Sequence, residues 1–179
     1  MKFSRTPELD ATDRAILELL QVNCKQPLAA IGQKVGLSAP AVMERIHKLE
    51  EAGVVTAYVA LVDARRVGRD VAAFIGVSTD HPRAIGALER EIAAIDDVLE
   101  CHHVTGGHTF MVKLKAENTE SLESLIERIR SLEGVSRTET MVVLSTAAER
   151  TRIALGGEPR AARASRRAAS PRTRGGRSR

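Results

Sequence analysis

The chain has 179 residues, 43% hydrophobic and 28% charged but only 2% aromatic and without Trp, so it can form one large or two small domains with aliphatic cores. No run approaches the roughly 18 apolar residues of a bilayer span, and the N-terminal residues lack a signal-peptide stretch, which excludes a membrane protein and points to the cytoplasm. The net charge of +4 divides unevenly: residues 1–69 carry +2, residues 70–155 carry −5, and residues 156–179, with eight Arg and one Glu, carry +7, so a polyanion would meet the ends and avoid the middle.

The first part predicts three helices. Asp10 is a good N-cap with the acidic Asp13 in the first turn, and Ile16, Leu17 and Leu20 line one face as far as Val22. Residues 23–26 form a loop, and Pro27 opens a second, short helix whose apolar stripe is Leu28, Ile31 and Val35. Gly36 ends that helix, Leu37 plugs the turn, and Ser38 caps a third helix in which Val42, Ile46 and Leu49 face inward up to Gly53. Residues 54–62, rich in β-formers, predict a small wing or one long strand. Residues 63–68 read as a linker carrying Arg65 and Arg66.

The second part changes period. Strands are predicted at 71–78, 98–105, 109–116 and 135–144. One helix opens at Pro82, and another carries Leu122, Leu125, Ile126, Ile129 and Leu132 and stops at Gly134. The order βαββαβ makes an antiparallel sheet with helices on one face; the other face needs a cover, most simply a second copy of the chain. Gly106 and Gly107 predict a two-residue hairpin turn. The tail 156–179 has no apolar periodicity and reads as disordered.

Helix, Gly36-Leu37-Ser38 turn, helix is the spacing of a helix-turn-helix. The outward face of its third helix is predicted to offer Ala41, Glu44, Arg45 and Lys48, and its N-terminal end Ser38, Ala39 and Pro40. Small residues there let the backbone approach base edges, Arg45 suits a bidentate guanine contact, and Lys48 suits phosphate. A three-helix bundle that binds protein has the same pattern.

On Leu9-Asp10, Asp13, Ile16-Leu17, then Val35-Gly36-Leu37-Ser38, then Arg45-Ile46, Leu49-Glu50 and Gly53-Val54-Val55, the chain resembles the Lrp/AsnC family of bacterial and archaeal regulators, over roughly residues 8–150. The resemblance implies an α+β protein: a winged helix-turn-helix DNA-binding domain at 1–63, a linker at 64–70, and a ferredoxin-like βαββαβ domain at 71–150 that senses an amino acid. It implies a homodimer, a homo-octamer of four dimers, double-stranded DNA as partner, and control of amino acid metabolism genes. It also implies an effector pocket at Thr105, Gly106, Gly107, His108 and Thr109 with Thr140, Met141 and Val143 of the last strand. The family's two carboxylates in that turn are absent here, so a neutral, apolar amino acid is expected, its carboxylate on backbone N–H groups and the Thr109 hydroxyl.

Other readings are weaker. Cys101, His102, His103 and His108 invite a metal site, but strand alternation sends His102 to the opposite face, so no metal is expected. Cys24 and Cys101 are too few for a disulfide framework and lack a catalytic partner motif. No phosphate-binding loop or dinucleotide fingerprint is present, so neither an enzyme nor a cofactor is expected. A ferredoxin-like module that binds amino acids without sequence-specific DNA recognition is the alternative. The Arg-rich tail suits phosphate binding without sequence preference.

Overall fold

The computed structural model of the chain describes residues 7–155; the expected disorder of 156–179 lies outside the described residues. Two compact units divide at Val59/Ala60 and again at Glu149/Arg150, the second break returning residues 150–155 to the first unit.

The first unit is helical, with α1 (Ala11–Val22), α2 (Leu28–Val35) and α3 (Ala39–Glu51). A reciprocal capping box starts α1: the Asp13 N–H donates to Asp10 Oδ1 at 2.7 Å and the Asp10 N–H to Asp13 Oδ2 at 3.2 Å. Ile16, Ile31, Val42 and Ile46 form the core, flanked by Leu19, Leu20, Leu28, Val35 and Leu37. The turn between α2 and α3 closes tightly. The Leu37 N–H donates to the Gly32 carbonyl at 2.9 Å, and a Cβ on Gly32 would stand 2.3 Å from the Leu37 carbonyl oxygen.

The expected wing is a correction. Residues 54–62 form neither a hairpin nor a strand among the described residues. The N–H groups of Val54 and Val55 both turn back to the Leu49 carbonyl, at 2.9 and 3.2 Å, and the Tyr58 hydroxyl donates to Glu50 Oε1 at 2.7 Å. Burial, then this hydrogen bond, push the Tyr58 hydroxyl up to about 12. The segment is tied to the end of α3, and among the described residues no strand pairs with it.

The second unit is the expected βαββαβ: β1 (Val71–Ser78), α4 (Ile85–Ala93), β2 (Val98–His103), β3 (Phe110–Ala116), α5 (Thr119–Arg130) and β4 (Arg137–Val142). The sheet is antiparallel in the order β2-β3-β1-β4. A short 3-10 turn, Arg65–Val67, occupies part of the stretch read as linker. Along β1, Ala73, Ile75 and Val77 are fully buried beneath the helices with Leu88, Ile92, Phe110, Val112, Leu114 and Ile129. Alternation sends Phe74, Gly76 and Ser78 to the other face, which no element of the unit covers with a helix.

The two-residue turn is also corrected. From Glu100 onward the ladder keeps the register that such a turn implies, after a bulge between Val98 and Glu100, but it ends at His103↔Phe110. The Val104 N–H donates across the hairpin to the Thr109 carbonyl at 3.0 Å and the Thr109 N–H to the Val77 carbonyl of β1 at 2.8 Å, so a loop from 104 to 109, closed by these bonds, replaces the two-residue turn. The outer strands are correspondingly shorter than predicted.

Candidate DNA and effector sites

The fit of Gly32 against Leu37 sets α3 at its angle to α2, and Ser38 starts it, its Oγ accepting the Ala41 N–H at 3.4 Å. The stripe Val42, Ile46 and Leu49 is buried. Ser38, Pro40, Met43, Glu44, His47 and Lys48 are exposed, whereas Ala39, Ala41 and Arg45 are half-buried. The outward face is therefore turned from the predicted one. Ala41, Glu44, Arg45 and Lys48 line an open hollow of about 500 Å³ shared with Pro7, Glu8 and Leu9.

Arg45 is held by α1. Its Nη1 lies 2.7 Å from Asp10 Oδ2 and 2.7 Å from Asp13 Oδ1. The pairs raise the guanidinium's already high pKa. The Asp13 N–H, then Arg45, hold the Asp10 carboxyl below its ordinary range. Lys48 Nζ lies 2.7 Å from Glu44 Oε1, one turn away, and holds that carboxyl low. His47 stands 3.3 Å from Glu51. Both Arg45 and Lys48, the cations of α3, thus have an acidic neighbour. Met43 and His47, absent from the sequence reading, belong to the exposed stripe.

The second site is the 104–109 loop where it folds over the end of β1. Thr109 Oγ1 accepts the Thr79 N–H at 3.2 Å, and Ser78 Oγ donates to the Gly107 carbonyl at 3.5 Å. The His108 ring lies on Gly76, where a Cβ would stand 2.6 Å from the ring, so only glycine leaves room for it. Its Nδ1 is 3.4 Å from Ser78 Oγ, and its Nε2 is 3.7 Å from Glu139 of β4. Glu139, which the sequence reading missed, also pairs with Arg137 at 3.2 Å.

The expected effector residues separate. Thr105, Gly106, Gly107, His108 and Thr109 are together on the loop. Met141 pairs with Phe74 on the uncovered face, one step beyond the Glu139↔Gly76 pair. Thr140 pairs with the fully buried Ile75 and so points to the helix side. Val143 is four residues past Glu139, about 13 Å along the strand. It lines a different hollow with Phe74, Lys113 and Lys115.

The Cys/His cluster disperses as well. His102 turns to Glu100 at 3.2 Å, His103 lies against Phe110 with ring centroids 5.4 Å apart, and burial raises the half-buried Cys101 thiol. Among the described residues no group of three or more His, Cys, Asp or Glu is placed to hold a metal ion, and no helix is long and apolar enough to cross a membrane.

Known proteins match both units. A family model of the AsnC-type helix-turn-helix domain matches residues 9–50, and one of the Lrp/AsnC ligand binding domain matches residues 72–153. The HTH-type transcriptional regulator FL11 of Pyrococcus horikoshii is 33% identical over 145 residues, 81% of this chain and 95% of its own. Regulatory protein AsnC of Escherichia coli is 30% identical over 148 residues, 80% of this chain and 95% of its own. Its solved structure superposes with a TM-score of 0.77 over 82% of this chain and 99% of that one, at 27% identity. A Neisseria meningitidis transcriptional regulator solved in complex with L-methionine gives a TM-score of 0.79 at 27% identity, over 83% of this chain and 97% of that one.

Proposed function

Because the chain belongs to the Lrp/AsnC family of transcriptional regulators, we propose that it reads operator DNA through the exposed stripe of α3 and that an amino acid held beside the 104–109 loop alters its assembly or its DNA affinity. The observation that carries the reading is α3 itself: locked by the Gly32–Leu37 fit, with Ser38, Ala39 and Pro40 at its leading end and Met43, Glu44, His47 and Lys48 outward. Ser38, Ala39 and Pro40 let the backbone approach base edges, Met43 offers an apolar contact, and a phosphate can take the place of Glu44 on Lys48. Arg45 and Ala41 act from the flank, Arg45 by fixing the start of α1 against α3.

The L-methionine complex of the Neisseria regulator supports an amino acid effector here. The pocket we favour is narrower than the sequence implied: Thr105 to Thr109 with Glu139 and Met141. Glu139 supplies a carboxylate for the ligand ammonium that the loop lacks. Thr140 and Val143 contribute sheet packing. The uncovered sheet face, with Phe74 and Met141 exposed, supports the expected homodimer and its homo-octamer. The protein acts without catalysis or cofactor, on DNA in the cytoplasm, at genes of amino acid metabolism. The effector works only through a difference in affinity between two assemblies.

A gel shift on the DNA upstream of its own gene tests the helix. Met43→Glu and His47→Glu, each placing a negative charge on the stripe, are expected to abolish the discrete complex while circular dichroism stays unchanged. A complex of wild-type affinity in both variants overturns the assignment. Titration calorimetry with L-methionine and other amino acids tests the sensor.

A further inference from the structure

The register sets four positions in one row across the uncovered face of the sheet: His102 of β2, Met111 of β3, Gly76 of β1 and Glu139 of β4. Gly76 has no side chain, which leaves a gap in the row between Met111 and Glu139. The His108 ring fills it. A Cβ on Gly76 would stand 2.6 Å from the ring's Cδ2 and 2.7 Å from its Cγ and Nε2, so the gap takes the imidazole only because β1 places nothing there. Just 18% of the His108 side chain stays exposed.

The main chain that carries the ring is pinned on both sides. Ser78 Oγ donates to the Gly107 carbonyl at 3.5 Å, the Thr109 N–H donates to the Val77 carbonyl at 2.8 Å, and Thr109 Oγ1 accepts the Thr79 N–H at 3.2 Å. The ring's own polar contacts are looser. Its Nδ1 stands 3.4 Å from Ser78 Oγ and its Nε2 3.7 Å from Glu139 Oε2, longer than the usual span of about 2.7–3.2 Å for a hydrogen bond. Shape holds the ring more than polar bonding does, and a rotation of the side chain releases Glu139 without moving the loop.

We propose that His108 is an internal competitor of the amino acid effector: its ring occupies Glu139 and the gap over Gly76, and an amino acid binds by displacing it, with its ammonium on Glu139 and its side chain in the gap beside Met111. The proposal rests on the reading of residues 105–109 with Glu139 as the effector pocket. It adds a pH response to that pocket. Imidazole changes charge between about pH 5 and 8, and a protonated ring holds a carboxylate more firmly than a neutral one, so the effector competes less well in acid. Around the ring, β4 presents Glu139 and, 3.2 Å from the same carboxylate, Arg137; β1 presents the Ser78 hydroxyl, β3 the uncharged Met111, and His102 of β2 turns to Glu100.

The test is titration calorimetry with L-methionine and each of the other standard amino acids, at about pH 6 and about pH 7.5. It compares the full chain with its His108→Ala, His108→Gln and Glu139→Gln variants. At the higher pH, His108→Ala is expected to tighten binding about tenfold, the gain when a site open roughly a tenth of the time is open always. The parent is expected to bind several-fold more weakly at the lower pH. His108→Gln, which keeps a polar side chain over Gly76 without a titrating ring, and His108→Ala should each bind equally at the two. In NMR spectra of the parent, the nuclear Overhauser contact between the His108 ring and the Gly76 Hα protons should disappear at saturating ligand.

Binding no tighter in His108→Ala, or a ring contact that survives saturation, overturns the competitor. A parent that binds more tightly in acid assigns the ring to the ligand carboxylate and overturns it as well. A pH effect that persists in both His108 variants overturns the pH response. If Glu139→Gln weakens binding while His108→Ala leaves it unchanged, the pocket stands and the competitor alone fails. If Glu139→Gln binds as the parent does, or neither the parent nor His108→Ala binds any amino acid, the reading of the pocket fails and the competitor with it.

Discussion

Side by side, the sheet unit gathers thirteen buried residues into one apolar cluster, while the core cluster of the helical unit has four. At about 1.5–3 kcal/mol for each large side chain buried, the helical unit has far less to set against the entropy of ordering its backbone. It makes up the difference by local fit and by polar ties. The fit is Gly32 against Leu37; the ties are the Asp10–Asp13 box, Arg45 across two helices, Tyr58 on Glu50 and the Ile153 main chain held by Gln21. Ties of this kind respond to pH, salt and partners in a way that buried aliphatics do not. The helical half is therefore the more easily biased half, and the sheet half is the more robust.

The largest expected effect comes from breaking the fit. Gly32→Val places a branched side chain where even a Cβ stands 2.3 Å from a main-chain oxygen, which a rotamer change cannot relieve. A loss of about 3 kcal/mol or more is expected, enough to unfold the helical unit alone. Hydrogen exchange should show protection lost from α1, α2 and α3 and kept in β1 and β3. Protection retained in α2 and α3 would mean that the turn tolerates volume and that the helical unit is not held by fit.

The next effect sharpens the comparison by making one substitution in both cores. Ile16→Ala and Ile75→Ala each remove a fully buried side chain at a cost of about 2–5 kcal/mol. In a urea titration followed by exchange, Ile16→Ala is expected to bring forward the unfolding of the helical unit and Ile75→Ala that of the sheet. A single shared transition in both variants would show that the units do not unfold independently, and the contrast between them would collapse.

What was legible in the sequence was local. Asp10 and Val22 bound α1 as read, Gly36, Leu37 and Ser38 make the turn, and the βαββαβ order follows from periodicity that changes from helical to alternating. What was missed depends on residues far apart in the chain. The Gln21–Ile153 clamp joins positions 132 apart, and Glu139 reaches His108 only through the β1–β4 register. The α3 face is a different case. At about 100° per residue, the stripe Val42, Ile46 and Leu49 places Arg45 on its own flank and Glu44, His47 and Glu51 opposite. Arg45 attracted a DNA role by its chemistry, although its angle was already readable as a tie to a neighbouring helix.

That tie gives the smallest expected effect. Arg45 is only half-buried and Asp10 is exposed, so their pair is weakened by water and salt. Asp10 has its carboxyl lowered from 3.8, first by the Asp13 N–H and then by Arg45. A carboxyl whose value is lowered on folding contributes stability that is fully present above its unfolded value and is lost as pH falls through the folded one. Arg45→Gln removes the part of that contribution that depends on the guanidinium. At pH 7 the variant's helical unit is expected to unfold at slightly lower urea than the parent's. The gap should close as pH falls below 3.8 and through the lowered value of Asp10, with the sheet transition unmoved throughout. Operator affinity, measured at pH 7 where the variant is folded, should change less than for Met43→Glu. If Arg45→Gln instead leaves stability untouched and abolishes operator binding, the guanidinium exchanges Asp10 and Asp13 for a base on DNA, and the polar ties of the helical unit belong to its unbound state.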